Sequence, residues 1–259
     1  MRALMIGCGK MGGAMLSRWA TRDDVAFSVV DPAIAKAPAG VALFANAAEL
    51  SAEPFDAIVL AVKPQMLGDI APDYRDRLAA DGALISIMAG ASAATIAAAF
   101  GDAAIVRVMP NLPAQIGQGV SGLFANDRAT PAQRSFAEEL VKATGEAIWV
   151  DSEDALDRFP AVAGSGPGYV FEIAREYVAA ARELGFEEEA ARRMVLGVMA
   201  GTVALAQQSG EDLETLRDAV TSKNGTTEAG LNALRADETL GALLRATTRA
   251  AYDRAVELR

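Results

Sequence analysis

A glycine pattern near the start of the chain has the spacing of a phosphate-binding loop. It follows the apolar run Ala3–Ile6 and consists of Gly7, Cys8, Gly9, Lys10, Met11 and Gly12. In a G-x-G-x-x-G sequence between a strand and a helix, the first glycine permits a tight turn. The second lets a pyrophosphate approach the backbone, and the third lets the helix pack on the strand. The pattern therefore predicts dinucleotide binding at the start of a helix, with a glycine-rich structural turn as the alternative.

Asp31 bears on the choice of dinucleotide. It ends the next apolar run, Ala26–Val30, about 20 residues after Gly12. A carboxylate there accepts hydrogen bonds from the ribose 2′-OH of NAD and repels the 2′-phosphate of NADP. The next basic residue is Lys36, so the local chemistry favours NADH, although NADPH and NADH both stay candidate cofactors. A simple turn at Asp31-Pro32 is the alternative interpretation.

Two later loops leave predicted strands in the same way. Because ligands of such sheets bind at the carboxyl ends of the strands, we expect both loops beside the cofactor. Lys63 and Asn111 are the candidate polar contacts, with exposure of Lys63 to solvent and a structural role for Asn111 as the alternatives. The loop residues are Ala61, Val62, Lys63, Pro64, Met109, Pro110 and Asn111.

The composition excludes several kinds of chemistry. The chain has 259 residues and no histidine, so Ser-His-Asp, Cys-His and histidine–metal sites are unavailable, and we expect no metal. A proton must come from a hydroxyl, a lysine, a carboxylate, water or the substrate. The net charge of −10 argues against nucleic-acid binding.

Cellular location is predicted from cysteine content and from the length of the apolar runs. Cys8 is the only cysteine, so no intramolecular disulfide can form, as is typical of a reducing compartment. Charged residues, glycine or proline interrupt the apolar runs before they reach the length of a membrane span. We expect a cytoplasmic protein without membrane contact.

The first half of the chain alternates between strand-like and helix-like segments. This alternation predicts an α/β fold, a doubly wound parallel sheet of the Rossmann type over residues 1–151. The strand-like runs are Ala3–Ile6, Ala26–Val30, Ala57–Val62, Ala83–Met88, Ile105–Met109, Val120–Phe124 and Ala147–Val150. The helix-like stretches are Met11–Ala20, Pro64–Ala80, Ser92–Phe100 and Pro131–Thr144.

Residues 152–259 have a helical pattern and predict a second, all-α domain. One helix, Glu188–Ser209, is apolar around much of its circumference. A domain of about 100 residues has a limited core of its own, so we expect that helix to be buried in a dimer interface. The predicted helices are Gly166–Leu184, Glu188–Ser209, Asp212–Val220, Thr226–Arg235 and Leu240–Leu258.

The segment Thr221–Thr227 lies between two of these helices and can bind an anion. Its hydroxyls and the free N–H groups at the start of the following helix can hold a carboxylate without an arginine. On these grounds alone, a capping loop without a ligand is an equally good interpretation.

Two segments of the second half resemble a known family. Gly164–Phe171 reads G-S-G-P-G-Y-V-F and is similar to the S-G-S-G-P-A-Y-V-F stretch of pyrroline-5-carboxylate reductases. Leu216–Ser222, followed by Gly225-Thr226-Thr227, resembles that family's L-K-D-x-V-x-S-P-G-G-T-T signature. The phosphate loop and the loops at 61–64 and 109–111 occur in the family at the same relative places. The resemblance covers the chain from Met1 to about Leu258.

The resemblance implies an enzyme that reduces 1-pyrroline-5-carboxylate to L-proline with NADPH or NADH, the last step of proline synthesis. It also implies a homodimer through the C-terminal helices, with the active site shared between two chains and a higher oligomer left open. The substrate would be held by Ser222, Gly225, Thr226 and Thr227, and the Thr227 hydroxyl would contact the ring nitrogen.

Departures from the family pattern keep other functions open. Lys223-Asn224 replaces Pro-Gly, Glu228 replaces an isoleucine, Asp212-Leu213 replaces His-Pro, and Gly168 replaces an alanine. One alternative is therefore a reductase of another cyclic imine. A β-hydroxyacid dehydrogenase is disfavoured, because the predicted helix at 166–184 lacks the lysine those enzymes carry there. A non-catalytic dinucleotide sensor is disfavoured by the intact substrate loop.

Overall fold

The apolar runs of the first half form one eight-stranded sheet in the computed structural model, which describes residues 1–257. The sheet order is β3-β2-β1-β4-β5-β6-β7-β8, and neighbouring strands are parallel except for the antiparallel pair β6–β7. The strands are β1 (Arg2–Ile6), β2 (Ala26–Val30), β3 (Ala42–Phe44), β4 (Phe55–Leu60), β5 (Leu78–Ser86), β6 (Ala104–Met109), β7 (Gly119–Ala125) and β8 (Gly145–Trp149).

Helices cover both faces of this sheet. They are α1 (Lys10–Trp19), α2 (Leu67–Tyr74), α3 (Ala93–Phe100), α4 (Pro131–Lys142) and α5 (Glu153–Phe159). Successive residues of β1 enter opposite layers: Met5 packs in the layer of α1 and α4, whereas Leu4 packs in the layer of α2 and α3. Burial on both faces explains why the strands are continuous apolar runs, and the predicted doubly wound sheet is confirmed.

The predicted helix Pro64–Ala80 is wrong at its C-terminal end. The segment forms a 3₁₀ turn at Pro64–Met66, then α2, then a second 3₁₀ turn at Arg75–Arg77. Pro72 lies inside α2 and has no N–H to donate, so it weakens the helix two residues before its end. Strand β5 consequently begins at Leu78, where Leu78 pairs with Phe55.

Three short elements escaped the sequence pattern. Strand β3 has three residues at the edge of the sheet, and α5 has only seven, capped by Ser152, whose hydroxyl accepts the N–H of Ala155 at 3.1 Å. A π-helical turn, Pro160–Gly164, follows α5 directly. Elements of this length carry too few apolar repeats to be recognised from periodicity.

The second half is helical, as predicted. Its helices are α6 (Gly166–Glu183), α7 (Glu188–Ser209), α8 (Leu213–Ala219), α9 (Thr226–Leu234) and α10 (Thr239–Glu257). Leu258, the last residue of the predicted final helix, lies outside the described residues. Within residues 1–257, every helix is either too short or too polar to span a lipid bilayer.

The contacts divide the chain into two units. The first comprises Met1–Pro167 together with the end of α10, and the second comprises Gly168–Ala250. The functional boundary predicted after Asp151 stays a prediction.

The second unit buries little apolar surface within one chain. The side chains enclosed in residues 168–250 are Ala174, Ala181, Ala191 and Val195. By contrast, Phe171 of α6, Val203 of α7 and Leu243 of α10 are 63%, 58% and 62% exposed. Exposed apolar surface on this scale marks an interaction surface.

A buried ion-pair network joins the sheet to α5. Arg107 of β6 has a side chain that is only 3% exposed. Its Nη1 lies 2.6 Å from Glu153 Oε1, and its Nη2 lies 3.1 Å from Asp157 Oδ1. Glu153 Oε1 also accepts the backbone N–H of Ala93, at the start of α3, at 2.7 Å. The guanidinium therefore joins β6 to α5, and the Glu153 carboxylate joins both to the start of α3.

The network makes a testable contribution to stability. We expect Arg107→Ala to lower the free energy of unfolding by about 3–5 kcal/mol, because it removes the cation that neutralises two partly buried carboxylates. Urea unfolding followed by circular dichroism measures this. The matched control is Arg158→Ala, which breaks an exposed ion pair with Asp154 in the same helix and should cost less than about 1 kcal/mol. Equal losses in the two variants would contradict the assignment.

Candidate active site

The three glycines of the phosphate loop occupy three different environments. Gly7 has φ +86°, and a Cβ there would lie 2.8 Å from the carbonyl oxygen of Ala61. A Cβ on Gly12 would lie 3.1 Å from Ala61 Cβ, so α1 crosses closely over the end of β4. Around Gly9, no described atom beyond the glycine and its two chain neighbours lies within 4 Å of the Cβ position. The loop thus has a tight turn, a close helix–strand contact and, between them, open space.

The open space at Gly9 fits a dinucleotide pyrophosphate. Gly9 is the N-cap of α1, and no described side chain caps that helix. The first turn begins Lys10-Met11-Gly12 and carries no acidic side chain. The first N–H groups of a helix have no partner within the helix and favour an anion. Phosphate oxygens can therefore approach the backbone at Gly9 without a steric obstacle, and the first turn of α1 places no acidic side chain against them.

Asp31 is held rigidly beside this loop. Its Oδ2 accepts the backbone N–H of Cys8 at 2.6 Å, and its Oδ1 accepts the backbone N–H of Ala33 at 2.8 Å. Each carboxylate oxygen can accept more than one hydrogen bond, so the group still has capacity for a ribose hydroxyl. Both sequence interpretations are thus compatible with the geometry: Asp31 starts a turn, and it presents a fixed carboxylate at the end of β2.

Cys8 lacks the features of a reactive thiol. Burial, assisted by the charge of Asp31, raises the pKa of its thiol above the ordinary value. A raised pKa keeps the sulfur protonated at neutral pH, and the thiolate is the nucleophilic form. Cys8 is therefore a small side chain of the loop whose backbone N–H matters more than its sulfur.

The loop after β4 packs against the phosphate loop at Gly7. Ala61 O and Val62 Cγ1 each lie 2.8 Å from the position that a Cβ on Gly7 would take. Lys63 is exposed and caps the 3₁₀ turn that begins at Pro64, and its carbonyl oxygen accepts the N–H of Met66 at 2.9 Å. Ala61 and Val62 thus shape the loop, while contact of Lys63 with the cofactor stays a prediction.

Asn111 is a buried link between three segments of the first unit. Its side chain follows β6, and the residue is 6% exposed. The Oδ1 atom accepts the N–H of Val120 at 2.9 Å, and the Nδ2 atom donates to the carbonyl oxygen of Ala163 at 3.1 Å. The amide therefore holds the loop Met109–Asn111 against β7 and the π-helical turn. A contact with the cofactor would have to use the second Nδ2 hydrogen or the second lone pair of Oδ1 of Asn111.

The predicted cofactor residues lie at one edge of the sheet. Gly7, Asp31, Ala61 and Asn111 follow the carboxyl ends of β1, β2, β4 and β6. A separate cavity of about 750 Å³ lies at the opposite edge and is lined by Met1, the start of β5 and the start of β6. That cavity contains none of the predicted site residues, so its size does not indicate the site.

In the second unit, the predicted substrate residues come together in one turn before α9. The N–H of Gly225 donates to the carbonyl oxygen of Ser222 at 2.9 Å, which closes the turn Ser222–Gly225. Asn224 has φ +59°, a left-handed conformation that asparagine tolerates better than most residues. A Cβ on Gly225 would lie 2.9 Å from Ser222 O, so glycine is needed at this close approach.

Helix α9 starts directly from this turn with exposed threonines. Gly225 is the N-cap, and no side chain in residues 1–257 caps the helix there. Thr226 and Thr227 are exposed in the first turn. Their N–H groups and hydroxyls form a set of donors at a helix N-terminus, an arrangement that suits a carboxylate.

Sequence reasoning missed one contact in this loop. The Glu228 carboxylate, in the first turn of α9, accepts the backbone N–H of Asn224 with Oε2 at 2.6 Å. An acidic residue at the third helical position that reaches back to the chain before the helix is the signal of a capping box. Here the carboxylate reaches one residue beyond the N-cap, a geometry that the sequence does not specify.

Comparison with known proteins agrees with these features. Residues 153–258 match a family model described as pyrroline-5-carboxylate reductase dimerisation, and residues 3–90 match one described as NADP oxidoreductase, coenzyme F420-dependent. A pyrroline-5-carboxylate reductase of Pseudomonas aeruginosa is 38% identical over 204 residues, which are 78% of this chain and 74% of the relative.

Solved structures show the same likeness. The structure of a pyrroline-5-carboxylate reductase from Coxiella burnetii has a TM-score of 0.92 at 31% identity, covering 99% of this chain and 97% of that one. A Plasmodium falciparum pyrroline carboxylate reductase with NADP bound shares the fold, with a TM-score of 0.83 at 24% identity, covering 100% and 98%. The sequence identity and the matched domains together establish that this chain belongs to the pyrroline-5-carboxylate reductase family.

Proposed function

We propose that this protein reduces 1-pyrroline-5-carboxylate to L-proline by hydride transfer from NAD(P)H, the last step of proline biosynthesis. The observation that carries the proposal is the turn Ser222–Gly225 with Thr226 and Thr227 after it, because it presents several donors to one anion within the segment that matches the reductase family. Family membership supports the activity. We assign residues 1–151 to cofactor binding and residues 152–259 to association and substrate binding.

The residues present suit this reaction without a histidine. When bound, NAD(P)H supplies the hydride that reduces the C=N bond. A cyclic imine becomes a good hydride acceptor once its nitrogen is protonated, and water can deliver that proton. The protein then has to hold the ring in a reactive orientation, which lowers the barrier through positioning. In our proposal the N–H groups of Thr226 and Thr227 hold the substrate carboxylate, and the Thr227 hydroxyl orients the ring nitrogen.

The cofactor is held at the carboxyl edge of the sheet in this proposal. The residues assigned to it are Gly7, Cys8, Gly9, Lys10, Met11, Gly12, Asp31, Ala61, Val62, Lys63, Pro64, Met109, Pro110 and Asn111. Open space and uncapped N–H groups at Gly9 support pyrophosphate binding. The fixed carboxylate of Asp31 supports a preference for NADH, because it would lie against the 2′-phosphate of NADPH.

We further propose that two chains associate through their C-terminal helices. The large exposed apolar side chains of α6, α7 and α10 support this, since one chain leaves them uncovered. The match of residues 153–258 to a dimerisation model supports it independently. A cytoplasmic location is part of the proposal and is supported by the single cysteine, which excludes an intramolecular disulfide.

Substitution of Thr227 tests the substrate site. We expect Thr227→Ala to lower kcat/KM for 1-pyrroline-5-carboxylate by about 10- to 100-fold, the effect of losing one orienting hydrogen bond. Thr227→Ser keeps the hydroxyl and should stay within a few-fold of the wild type. Oxidation of NADH or NADPH at 340 nm is the measurement. An unchanged kcat/KM in Thr227→Ala would remove this residue from the mechanism.

Substitution of Asp31 tests the cofactor preference. The wild type should show a higher kcat/KM with NADH than with NADPH. In Asp31→Asn we expect the ratio to shift towards NADPH by about tenfold, because the charge that faces the 2′-phosphate is lost. Asparagine keeps one oxygen for the backbone N–H of Cys8, so the contact with the phosphate loop should remain, and the contact that is lost is the one with the N–H of Ala33 in the turn after β2. A ratio that does not move would show that Asp31 acts only as a turn residue.

A charge on α7 tests association. Val203→Glu should convert the oligomer into a lower-mass species, because it would bury an unpaired carboxylate in the interface. Size-exclusion chromatography with light scattering measures the mass. Gln208→Glu adds the same charge to a polar, exposed position of the same helix and should leave the mass unchanged. Retention of the wild-type mass by Val203→Glu would contradict an interface at this face.

A further inference from the structure

We propose that Glu228 sets the affinity of the substrate turn for carboxylates, both by holding the turn in shape and by placing a negative charge at the start of α9. The inference rests on the proposed function, because it takes the ligand of the turn Ser222–Gly225 to be a carboxylate. Glu228 acts here as a positioning and specificity-determining residue, without contact to the reacting atoms.

Glu228 contributes to the shape of the turn through the backbone of Asn224. Asn224 adopts φ +59°, which costs free energy in a residue with a side chain. Its N–H donates to Glu228 Oε2 at 2.6 Å, a short hydrogen bond of the charge-assisted kind. The Glu228 side chain therefore stabilises the left-handed conformation of Asn224, which would otherwise be unfavourable.

The turn offers a ligand those N–H groups that the chain's own oxygens do not occupy. The chain's own oxygens already occupy two N–H groups of the turn: Glu228 holds that of Asn224, and the Ser222 carbonyl holds that of Gly225. The N–H groups of Thr226 and Thr227 follow, in the first turn of α9. A ligand carboxylate would therefore bind in the same helical turn that carries the Glu228 carboxylate.

Two opposing electrostatic effects act on that ligand. The helix N-terminus attracts an anion, whereas Glu228 repels it from within the same turn. Lys223 carries the opposite charge in the turn, but it is exposed, and salt screens exposed charges. Glu228 is half-buried, so its effect is screened less. The expected result is a turn that is well ordered but binds anionic substrate and product less tightly than an uncharged turn would.

Glu228→Gln separates charge from shape, since glutamine keeps an acceptor oxygen for the N–H of Asn224. At low ionic strength, we expect this variant to lower KM for 1-pyrroline-5-carboxylate by about three- to tenfold with little change in kcat. Inhibition by L-proline should strengthen by a similar factor. With 1-pyrroline, the same ring without a carboxylate, KM should not fall. Added salt should shrink the difference between variant and wild type.

Glu228→Ala removes the acceptor as well as the charge. We expect faster hydrogen–deuterium exchange at the amide of Asn224 and a lower kcat, because the turn loses the hydrogen bond between that amide and residue 228. Glu228→Gln should retain the protection of that amide from exchange. This result would show that the hydrogen bond from Asn224, and not the charge of Glu228, orders the turn. Glu189→Gln makes the same chemical change in the first turn of α7 and should alter neither KM nor exchange in the turn.

The outcomes separate this inference from the proposed function. Absence of 1-pyrroline-5-carboxylate turnover by the wild type would overturn the function, and the inference with it. Turnover by the wild type with the same KM in Glu228→Gln would overturn the inference alone. So would a fall in KM of equal size for the two ring substrates, since the effect would then not involve the carboxylate.

Discussion

The close approach between the phosphate loop and the end of β4 is the contact on which the cofactor half of the molecule depends. Gly7 turns with a positive φ directly above Ala61, and Gly12 packs on the same residue. A side chain at either glycine would push α1 away from the sheet. The start of α1 would then no longer lie beside Asp31, whose carboxylate holds the N–H of Cys8. The close packing of Gly7 and Gly12 on Ala61 thus keeps the N-terminus of α1 beside the Asp31 carboxylate.

The substrate turn follows the same principle with different means. At Gly225 a close backbone approach again requires glycine, and the turn is closed by the carbonyl oxygen of Ser222. Both loops leave the N-terminus of a helix without a side-chain cap. An uncapped N-terminus is destabilising unless water or a ligand supplies the missing acceptors. Each of these two loops therefore offers backbone N–H groups at a helix N-terminus, and in each a carboxylate accepts one N–H of the loop, that of Cys8 from Asp31 and that of Asn224 from Glu228.

Much of this was predictable from the sequence, for identifiable reasons. The doubly wound sheet was predicted correctly because its strands are continuous apolar runs that alternate with helix-like stretches. The helical second half was predicted correctly because its helical segments, such as α7, are long. The end of α2 at Tyr74 was missed because the helical pattern continues past Pro72, and α5 was missed because seven residues carry little pattern. The contacts of Asn111 depend on residues brought near by folding, which no local pattern specifies. The contact of Glu228 is local, but the capping-box pattern does not specify that the carboxylate reaches Asn224 and not the N-cap.

The ion pair between Arg107 and Glu153 has a consequence for how such proteins can be recombined. Glu153 is the first residue matched by the reductase dimerisation model, whereas Arg107 lies in a strand of the sheet. A chimera joined at residue 152 would take the carboxylates of Glu153 and Asp157 from one parent and the guanidinium from the other. Sequence similarity divides the chain at residue 152, but the ion pairs of Arg107 with Glu153 and Asp157 cross that boundary. A chimera of two relatives therefore needs the cation from one parent and the carboxylates from the other to stand at these positions.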